Sequence, residues 1–289
     1  VVNSKPTGKT AIAFIVGEKS DTAANQIPSK VKVGNVELLT DVVVGSSGVR
    51  RIPCDIVPIE KRKAHYPILR PGITCRGNGG DGTIGALALS NQGSDLVAVT
   101  CRHVVLSQGS RFSQGGAPAG SVVLVSKLGM TDSAIVNIEG RGCDPHIIGI
   151  GTAILGTSQP TEDMLLIKMG AETGVTYGRA KPQPMSCAID GAMVNGFLIA
   201  HEPHGTVPIS KNGDSGAAWM VADKDGNSTS EMVGLHAGEL TVDGEQCAFA
   251  CFATEVFAEM DIRPLGQATG AEPGAIAAAP TYAPNYKAW

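Results

Sequence analysis

The segment Gly213–Gly216, which reads Gly-Asp-Ser-Gly, is the part of the sequence whose residue types best fit a chemical reaction. Hydrolysis of an amide needs a nucleophile, a general base and hydrogen-bond donors for the developing oxyanion. A turn of this composition can supply the first and the last, because Gly213 lets the backbone expose its N–H group while Ser215 presents a hydroxyl. The motif is weak by itself, since the same residues are common in ordinary turns.

A candidate general base, His103, follows the apolar strand-like run Val97–Cys101 and precedes Val104 and Val105. A base must be held in place, and a strand end that leads into a short packed turn would hold it. A lone histidine in such a place is more often structural. The order of His103 before a downstream Gly-Asp-Ser-Gly favours the catalytic interpretation.

Asp132 and Asp163 are the candidates for the acid that orients the imidazole. Asp132 opens the apolar run TDSAIV, and Asp163 also stands at the start of a strand-like run. A buried carboxylate beside the imidazole would hold its tautomer and stabilise its charged form. An isolated aspartate before a strand is usually a turn residue. The order His, Asp, Ser along the chain favours a catalytic role over that interpretation.

Three blocks around these residues, TCRHVV, TDSAIV and GDSGAAW, resemble the His–Asp–Ser blocks of chymotrypsin-like serine peptidases. Within that class, Gly82–Gly85 and Lys168–Gly178 resemble the narrow-leaf group of trypsin-like peptidases. The N-terminal segments AIAFIVGEKSD, QIPSKV and TDVV are similar to the extension of the bacterial members of that group. The resemblance covers roughly residues 10–262, and the three catalytic blocks are its specific part.

The resemblance implies an all-β, chymotrypsin-like fold of two six-stranded antiparallel barrels with the active site between them. It implies that His103 is the general base, that Ser215 is the nucleophile, and that the amides of Gly213 and Ser215 form the oxyanion hole. It also favours Asp132 over Asp163, because Asp132 has the Asp-x-Ala spacing of the family whereas Asp163 falls at the start of the second barrel.

The S1 substrate-binding pocket is predicted to involve Ile209, Ser210 and His236. Ile209 stands six residues before the nucleophile, where trypsins carry an acid, so a preference for Lys or Arg is not expected. Val233–Gly238 resembles the Gly-x-His strand of glutamyl endopeptidases and picornaviral main proteases, and Ser210 matches their pocket hydroxyl. We therefore expect Glu or Gln before the cut, with Glu favoured below about pH 6.5 if the imidazole is charged. A purely structural histidine is an equally open interpretation.

The elements that would position these residues are short strands joined by turns. The 289-residue chain contains 37 glycines and 17 prolines, and this balance favours an all-β class. Apolar residues at helical spacing predict one short helix at Thr254–Met260. Strand-like runs recur at residues 83–90, 95–101, 121–127, 133–138, 163–169, 175–180, 193–200, 216–222, 230–236 and 247–253.

The chain is divided into four predicted regions. They are an N-terminal extension (1–75) with a strand at Thr10–Val16, a first β-barrel (76–155), a second β-barrel (156–262) and a tail (263–289). The Gly-rich segment Arg76–Gly82 is predicted to be a flexible hinge. The tail lacks a core pattern and is predicted to be flexible or wrapping, so that its removal leaves thermal stability nearly unchanged.

Charge and cysteine content limit the partners and the compartment. The net charge of -4 and the short Lys61–Lys63 cluster argue against nucleic acid, and no apolar run approaches the ~18–20 residues of a membrane span. Seven cysteines, an odd number without a Cys-x-x-Cys pair, favour reduced thiols in a cytoplasmic protein, with a removed signal peptide as the alternative. No cofactor or metal is expected, and the oligomeric state stays open.

The function that these observations favour is a serine endopeptidase that cleaves specific protein or peptide substrates through an acyl-enzyme intermediate. One alternative is a catalytically silent binding or scaffold protein that keeps the protease fold. The other is a self-processing protease of a phage or mobile element that cleaves its own chain.

Overall fold

The computed structural model describes residues 30–33, 36–39, 65–93, 95–127, 129–202 and 208–269. In the predicted N-terminal extension it describes an antiparallel hairpin of β1 (Lys30–Val33) and β2 (Val36–Leu39). The strand predicted at Thr10–Val16 and most of the predicted tail lie outside the described residues. No helix in the described part of the chain is long and apolar enough to cross a membrane.

The N-terminal half of the described chain forms mainly one antiparallel sheet. The strands are β3 (Ile68–Leu69), β4 (Thr74–Gly77), β5 (Gly80–Thr83), β6 (Ala86–Ser90), β7 (Leu96–Thr100), β8 (Arg111–Gln114), β9 (Ala117–Val125), β10 (Ala134–Ile138) and β11 (Gly142–Cys143). Of these, β3 and β11 form a separate, short parallel pair.

The C-terminal half forms a second sheet. The strands are β12 (Gly156–Thr157), β13 (Leu165–Gly170), β14 (Gly174–Ile189), β15 (Ala192–His201), β16 (Ala218–Ala222), β17 (Ser228–Val242) and β18 (Glu245–Phe252). Six of them, β13 to β18, form a closed barrel because β17 pairs with both β16 and β18. β19 (Ile262–Pro264) returns to the first sheet and pairs with β6.

The strand orders are β19-β6-β7-β10-β9-β8-β4-β5 in the first sheet and β12-β17-β16-β13-β14-β15-β18 in the second. The prediction of an all-β fold with two antiparallel barrels is therefore confirmed. The sheets contain eight and seven strands where the prediction is six, with β19 at one edge of the first sheet and β12 at one edge of the second.

Three short helices complete the described chain. They are α1 (Arg102–Val105), α2 (Ala253–Glu259) and α3 (Leu265–Thr269). The predicted terminal helix corresponds to α2. One buried apolar cluster contains side chains of both halves, including Val99 and Val104 from the first and Leu235 and Phe249 from the second. The two barrels therefore share a continuous core where they meet.

The predicted flexible hinge at Arg76–Gly82 is wrong. The segment forms the β4–β5 hairpin, which packs on α1. The amide of Gly79 donates a hydrogen bond of 2.9 Å to the carbonyl oxygen of Val104, and a Cβ added at Gly79 would overlap the carbonyl oxygen of His103. These glycines therefore serve close approach of two backbones and not mobility.

Residues outside the two predicted barrels also contribute to the core. Leu69, Ile73 and Cys75, which the sequence assigns to the extension, are buried in the apolar cluster that contains Val99. The predicted tail, which follows the second barrel, begins with packed residues, since β19 pairs with β6 and Leu265 is 7% exposed. Because these residues pack on the first sheet and in the core, we now expect removal of residues 264–289 to lower the stability.

Candidate active site

His103 and Asp132 form a hydrogen-bonded pair at the end of the first barrel. His103 lies on α1, directly after β7, and its Nδ1 atom is 2.5 Å from Oδ2 of Asp132. The backbone amide of His103 donates a second hydrogen bond of 3.0 Å to Oδ1 of the same carboxylate. Asp132 is buried, whereas 20% of the His103 side chain is exposed. The ring is therefore fixed on its Nδ1 side while the side chain keeps access to solvent.

The environment raises the pKa of His103 above its ordinary value of 6.5. Burial alone lowers the pKa of the imidazole, but the hydrogen bond and the negative charge of Asp132 outweigh that effect. The charge of Asp190 raises the pKa further. A histidine with a buried carboxylate on Nδ1 can take up a proton on Nε2 at a modest cost, which is the property of a general base.

The loop that carries Asp132 is anchored by the second half of the chain. The amide of Asp132 donates a hydrogen bond of 3.2 Å to Sγ of Cys251 on β18. The carboxylate of Glu259, at the end of α2, accepts hydrogen bonds from the Thr131 hydroxyl (2.6 Å) and the Lys127 amide (2.8 Å). Contacts from residues more than a hundred positions away therefore fix the position of Asp132.

Asp163, the alternative acid, lies elsewhere. Its side chain is exposed and forms an ion pair of 2.6 Å with Lys181 on β14. The hydrogen bond and charge of Lys181 lower the pKa of Asp163. Of the two candidates, the structure brings Asp132 to His103.

Ser215 lies on a turn that is packed against the first barrel. The backbone carbonyl oxygens of Ser215 and Gly213 accept hydrogen bonds of 2.8 Å from the amide and the hydroxyl of Thr83, respectively. A Cβ added at Gly216 would lie 3.3 Å from the amide nitrogen of Cys101, two residues before His103. The turn is therefore held directly beside the strand end that carries the imidazole.

The donors and the hydroxyl of this turn are available for a ligand. Gly213 has a φ of +103°, a conformation that favours glycine. Within the described part of the chain, the amides of Gly213 and Ser215 donate to no acceptor, and the Ser215 hydroxyl forms no hydrogen bond with His103. Such a bond is often long in a free enzyme and shortens when substrate binds.

Asp214, between these two amides, is fully buried and was not identified from the sequence. Its Oδ2 atom forms an ion pair of 2.9 Å with Nζ of Lys168 on β13, and both side chains are 0% exposed. Burial raises the pKa of Asp214, but the charge of Lys168, together with the hydrogen bonds from Thr173 and Lys168, lowers it below its ordinary value. The one signal in the sequence was a lysine inside the otherwise apolar strand LLIKMG.

His236 and Ser210 are brought together, but their side chains bind each other. Nε2 of His236 lies 2.7 Å from the Ser210 hydroxyl, and the Trp219 indole N–H donates to Nδ1 over 3.3 Å. Because Nδ1 accepts, a neutral His236 carries its proton on Nε2 and donates it to Ser210. Ile209 is 1% exposed and packs in a second apolar cluster with Trp219.

The expectation that Glu is favoured at low pH depends on a charged His236, and the environment of the ring opposes that charge. Burial, and next the charge of Lys168, lower the pKa of His236 to about 3. The surroundings of His236 therefore favour the neutral imidazole, which donates from Nε2 to Ser210.

A group of potential metal ligands within the described residues overlaps this site. The ligand atoms of Cys101, His103 and Asp132 lie within 4.8 Å of one another. The Cys101 thiol is fully buried and donates to the carbonyl oxygen of His236 over 3.1 Å, and burial raises its pKa well above its ordinary value. A thiol in this state is a poor metal ligand.

The sequence matches no model of a known protein family, and no curated protein matches it. Solved structures do match. Thermobifida fusca Protease A gives a TM-score of 0.55 at 18% identity, over 68% of this chain and 98% of that one. A glutamic acid specific serine protease, described as using a novel histidine triad in substrate binding, gives 0.54 at 18% identity, over 68% and 100%. Nocardiopsis protease gives 0.53 at 16% identity, over 68% and 99%. The chain thus has the fold of chymotrypsin-like serine proteases.

Proposed function

We propose that the protein is a serine endopeptidase in which Ser215 is the nucleophile, His103 the general base and Asp132 the orienting acid. The observation that carries this proposal is the hydrogen-bonded His103–Asp132 pair beside the half-buried turn of Ser215. The fold that the chain shares with serine proteases supports it.

In the acylation step, the Ser215 hydroxyl attacks the carbonyl carbon of the scissile amide while Nε2 of His103 takes its proton. Asp132 accepts the Nδ1–H hydrogen bond and stabilises the imidazolium. The Gly213 and Ser215 amides donate to the oxyanion. When the tetrahedral intermediate collapses, the C–N bond breaks and the imidazolium protonates the leaving amine.

In the deacylation step, a water molecule replaces the amine. His103 takes a proton from this water as its oxygen attacks the ester carbon, and then returns a proton to Oγ of Ser215 as the acid product leaves. This cycle needs only side chains and backbone amides of the chain itself.

Labelling with a fluorophosphonate tests the proposal. Wild-type protein should gain one adduct on Ser215, detected by intact-mass and peptide analysis, and Ser215→Ala should gain none while keeping its circular dichroism spectrum. Ser186→Ala, which removes an exposed serine on β14, is the matched control and should label normally. A folded wild-type protein that does not label would favour the silent binding protein. A labelled protein that cleaves only its own chain over time would favour self-processing.

For the finer specificity, we propose that the residue before the cut is Gln or Glu, with Gln favoured. His236 donates to Ser210, so the Ser210 O–H is directed to a further acceptor, and within the described residues it has none. An amide oxygen suits a neutral donor, whereas burial of a carboxylate there lacks a countercharge and costs more. One of the proteins of similar fold is specific for glutamic acid, which supports a preference for a substrate side chain of the length of Glu or Gln.

A peptide library in which only this position varies tests the specificity. Gln should be cleaved best, and Ser210→Ala should reduce that preference while leaving fluorophosphonate labelling unchanged. Preference for Arg, Lys or a bulky aliphatic residue would reject the pocket assignment and leave the nucleophile in place.

We also propose a reducing, cytoplasmic location. The six described cysteines are unpaired, and five of them are buried. Alkylation of the protein in lysed cells, followed by mass spectrometry, should find these thiols reduced. Recovery of a disulfide between any two of them would contradict this location.

A further inference from the structure

The hairpin of β14 and β15 reaches from the second barrel to the first. β15 pairs with β18 only over residues 197–200, whereas its pairing with β14 continues to Ala192 at the end of the hairpin. The part of the hairpin beyond β18, residues 185–195, therefore projects past the second barrel, and we call it the hairpin arm. A register shift between Lys181 and Met185 marks its base, and such irregularities bend a strand pair.

The hairpin arm is fixed to the loop that carries Asp132. The backbone amide of Asn195 donates a hydrogen bond of 2.8 Å to the carbonyl oxygen of Met130, and the Asn195 side-chain amide donates one of 3.2 Å to that of Gly129. The Oδ1 atom of Asn195 accepts a further bond of 2.8 Å from the Ser186 hydroxyl on the other strand of the arm. Asn195 thus joins both strands of the arm to the loop, at a point two positions before Asp132.

The tip of the hairpin arm presents one carboxylate, that of Asp190. Ile189 pairs with Ala192, so Asp190 and Gly191 form a two-residue turn, and their φ angles are +46° and +77°. Positive φ at both positions is typical of a type I′ turn, in which Asp-Gly is a preferred sequence. Asp190 is exposed, and within the described residues its carboxylate forms no ion pair or hydrogen bond. The turn therefore holds an unpaired negative charge at the end of the arm.

The surroundings of this carboxylate suit a cationic side chain. The charge of Asp190 raises the pKa of His103, in agreement with the attachment of the arm to the loop beside that ring. Met193 on the arm and Met130 on the loop are 52% and 45% exposed. The methylene stem of Lys or Arg packs on apolar surface of this kind, while its charged head can pair with an acid.

The alternation of side chains along an extended peptide determines which substrate residue would meet Asp190. The side chain before the cut enters the proposed pocket of Ser210 and His236, which lies in the second barrel. In an extended chain, the next side chain toward the N-terminus points to the opposite side. His103, in the first barrel, and the tip of the arm lie on that side. The second position before the cut is therefore the one whose side chain would reach the carboxylate.

We propose that Asp190 is a specificity-determining residue, which binds the cationic side chain of a Lys or Arg at the second position before the cut. This inference rests on the proposed function and deepens it, because it names the substrate class. The preferred substrates are peptides in which a basic residue precedes the Gln or Glu at the cut.

Cleavage of a peptide series tests this proposal. The peptides carry Gln before the cut and Lys, Ala or Glu at the position before Gln. Wild type should cleave the Lys peptide with a kcat/KM about three- to fivefold above that of the Ala peptide, as an exposed ion pair provides, and the Glu peptide least. The preference for Lys should weaken as salt is raised, since exposed charges are screened. Equal kcat/KM values for the three peptides would overturn the proposal.

Asp190→Asn removes the charge and keeps the turn, because Asn-Gly is also preferred in type I′ turns. This variant should cleave the Lys and Ala peptides equally well. The ratio of the two kcat/KM values within each variant is the measurement, since Asp190 also influences His103. A preference for Lys that survives in Asp190→Asn would remove Asp190 from substrate recognition.

Asp243→Asn is the matched control for Asp190→Asn. Asp243 and Gly244 form the corresponding two-residue turn between β17 and β18, with φ angles of +51° and +83°, and Asp243 is exposed as well. This variant should keep the wild-type ratio between the Lys and Ala peptides. Loss of the ratio in both variants would show that the preference does not come from Asp190.

Peptide binding to the Ser215→Ala protein separates the role of Asp190 from the proposed function. Fluorescence anisotropy with the same peptides should give a lower Kd for the Lys peptide than for the Glu peptide, and Asp190→Asn in the same background should abolish the difference. If wild type labels with fluorophosphonate but neither readout depends on Asp190, only the role of Asp190 is rejected. If wild type neither labels nor cleaves, the proposed function fails, and the binding constants still decide whether Asp190 recognises a cationic side chain.

Discussion

The Asp132 carboxylate accepts a hydrogen bond from the ring of His103 through one oxygen and from the His103 backbone amide through the other. This two-point contact fixes both the position of the loop and the tautomer of the imidazole. Asp132→Asn should therefore keep the fold but lower kcat by about 10⁴-fold, because an amide cannot hold the productive tautomer. Steady-state hydrolysis of a Gln-containing peptide measures this effect.

Asp163→Asn is the control for that variant, because it removes an exposed carboxylate that binds Lys181. It should change kcat by less than about twofold, in line with the small energies of surface ion pairs. The opposite pattern, a severe Asp163→Asn and a mild Asp132→Asn, would remove Asp132 from the mechanism.

The pH dependence of labelling follows from the raised pKa of His103. A protonated imidazole cannot accept the Ser215 proton, so the labelling rate should rise with pH through a midpoint above 6.5. Because Asp132 is the main cause that raises this pKa and burial lowers it, Asp132→Asn should move the midpoint down. Asp190→Asn should move it in the same direction by less. A wild-type midpoint below 6.5 would contradict the assignment of His103 as the base.

Gly79→Ala should displace His103, because Gly79 lies against the backbone of that residue. The added methyl group would overlap the carbonyl oxygen of His103, so the β4–β5 hairpin and α1 must separate. We expect a loss of about 1–3 kcal/mol in the free energy of unfolding, as for other overpacked positions, and slower labelling of Ser215. Denaturant unfolding and labelling rates measure the two effects.

Gly93→Ala is the matched control for Gly79→Ala, since its Cβ would meet no atom closer than 3.6 Å. It should leave both quantities nearly unchanged. Equal unfolding free energies and labelling rates for the two variants would show that the β4–β5 hairpin does not pack against the His103 backbone.

Leu265→Ala should destabilise the protein although Leu265 lies in the region that the sequence assigns to a tail. The side chain is 7% exposed and belongs to the shared core, so its truncation should cost about 2–5 kcal/mol. Leu124→Ala, at a position that is 38% exposed on β9, should cost less. A calorimetric melting temperature for Leu265→Ala equal to that of wild type would show that α3 contributes nothing.

Much of the fold and the candidate nucleophile and base could be predicted from the sequence alone. Alternating and apolar runs locate strands because they reflect the local period of the chain, and most predicted strands overlap an observed one. His103 and Ser215 stood out for the same reason, since each lies at the end or the start of such a run. The hinge prediction for Arg76–Gly82 is wrong because composition alone does not distinguish a mobile glycine from one that admits a neighbouring backbone.

The sequence favours Asp132 over Asp163, but only the tertiary structure shows the contact of Asp132 with His103, the pairing of Lys168 with Asp214, and the burial that lowers the pKa of His236. Each depends on residues distant in the chain, such as the 46 positions between Lys168 and Asp214. Electrostatic energies depend on distance and burial, and neither quantity is encoded in local periodicity. The residue types determine which chemistry is possible, and the packing of the two barrels determines which of these side chains meet.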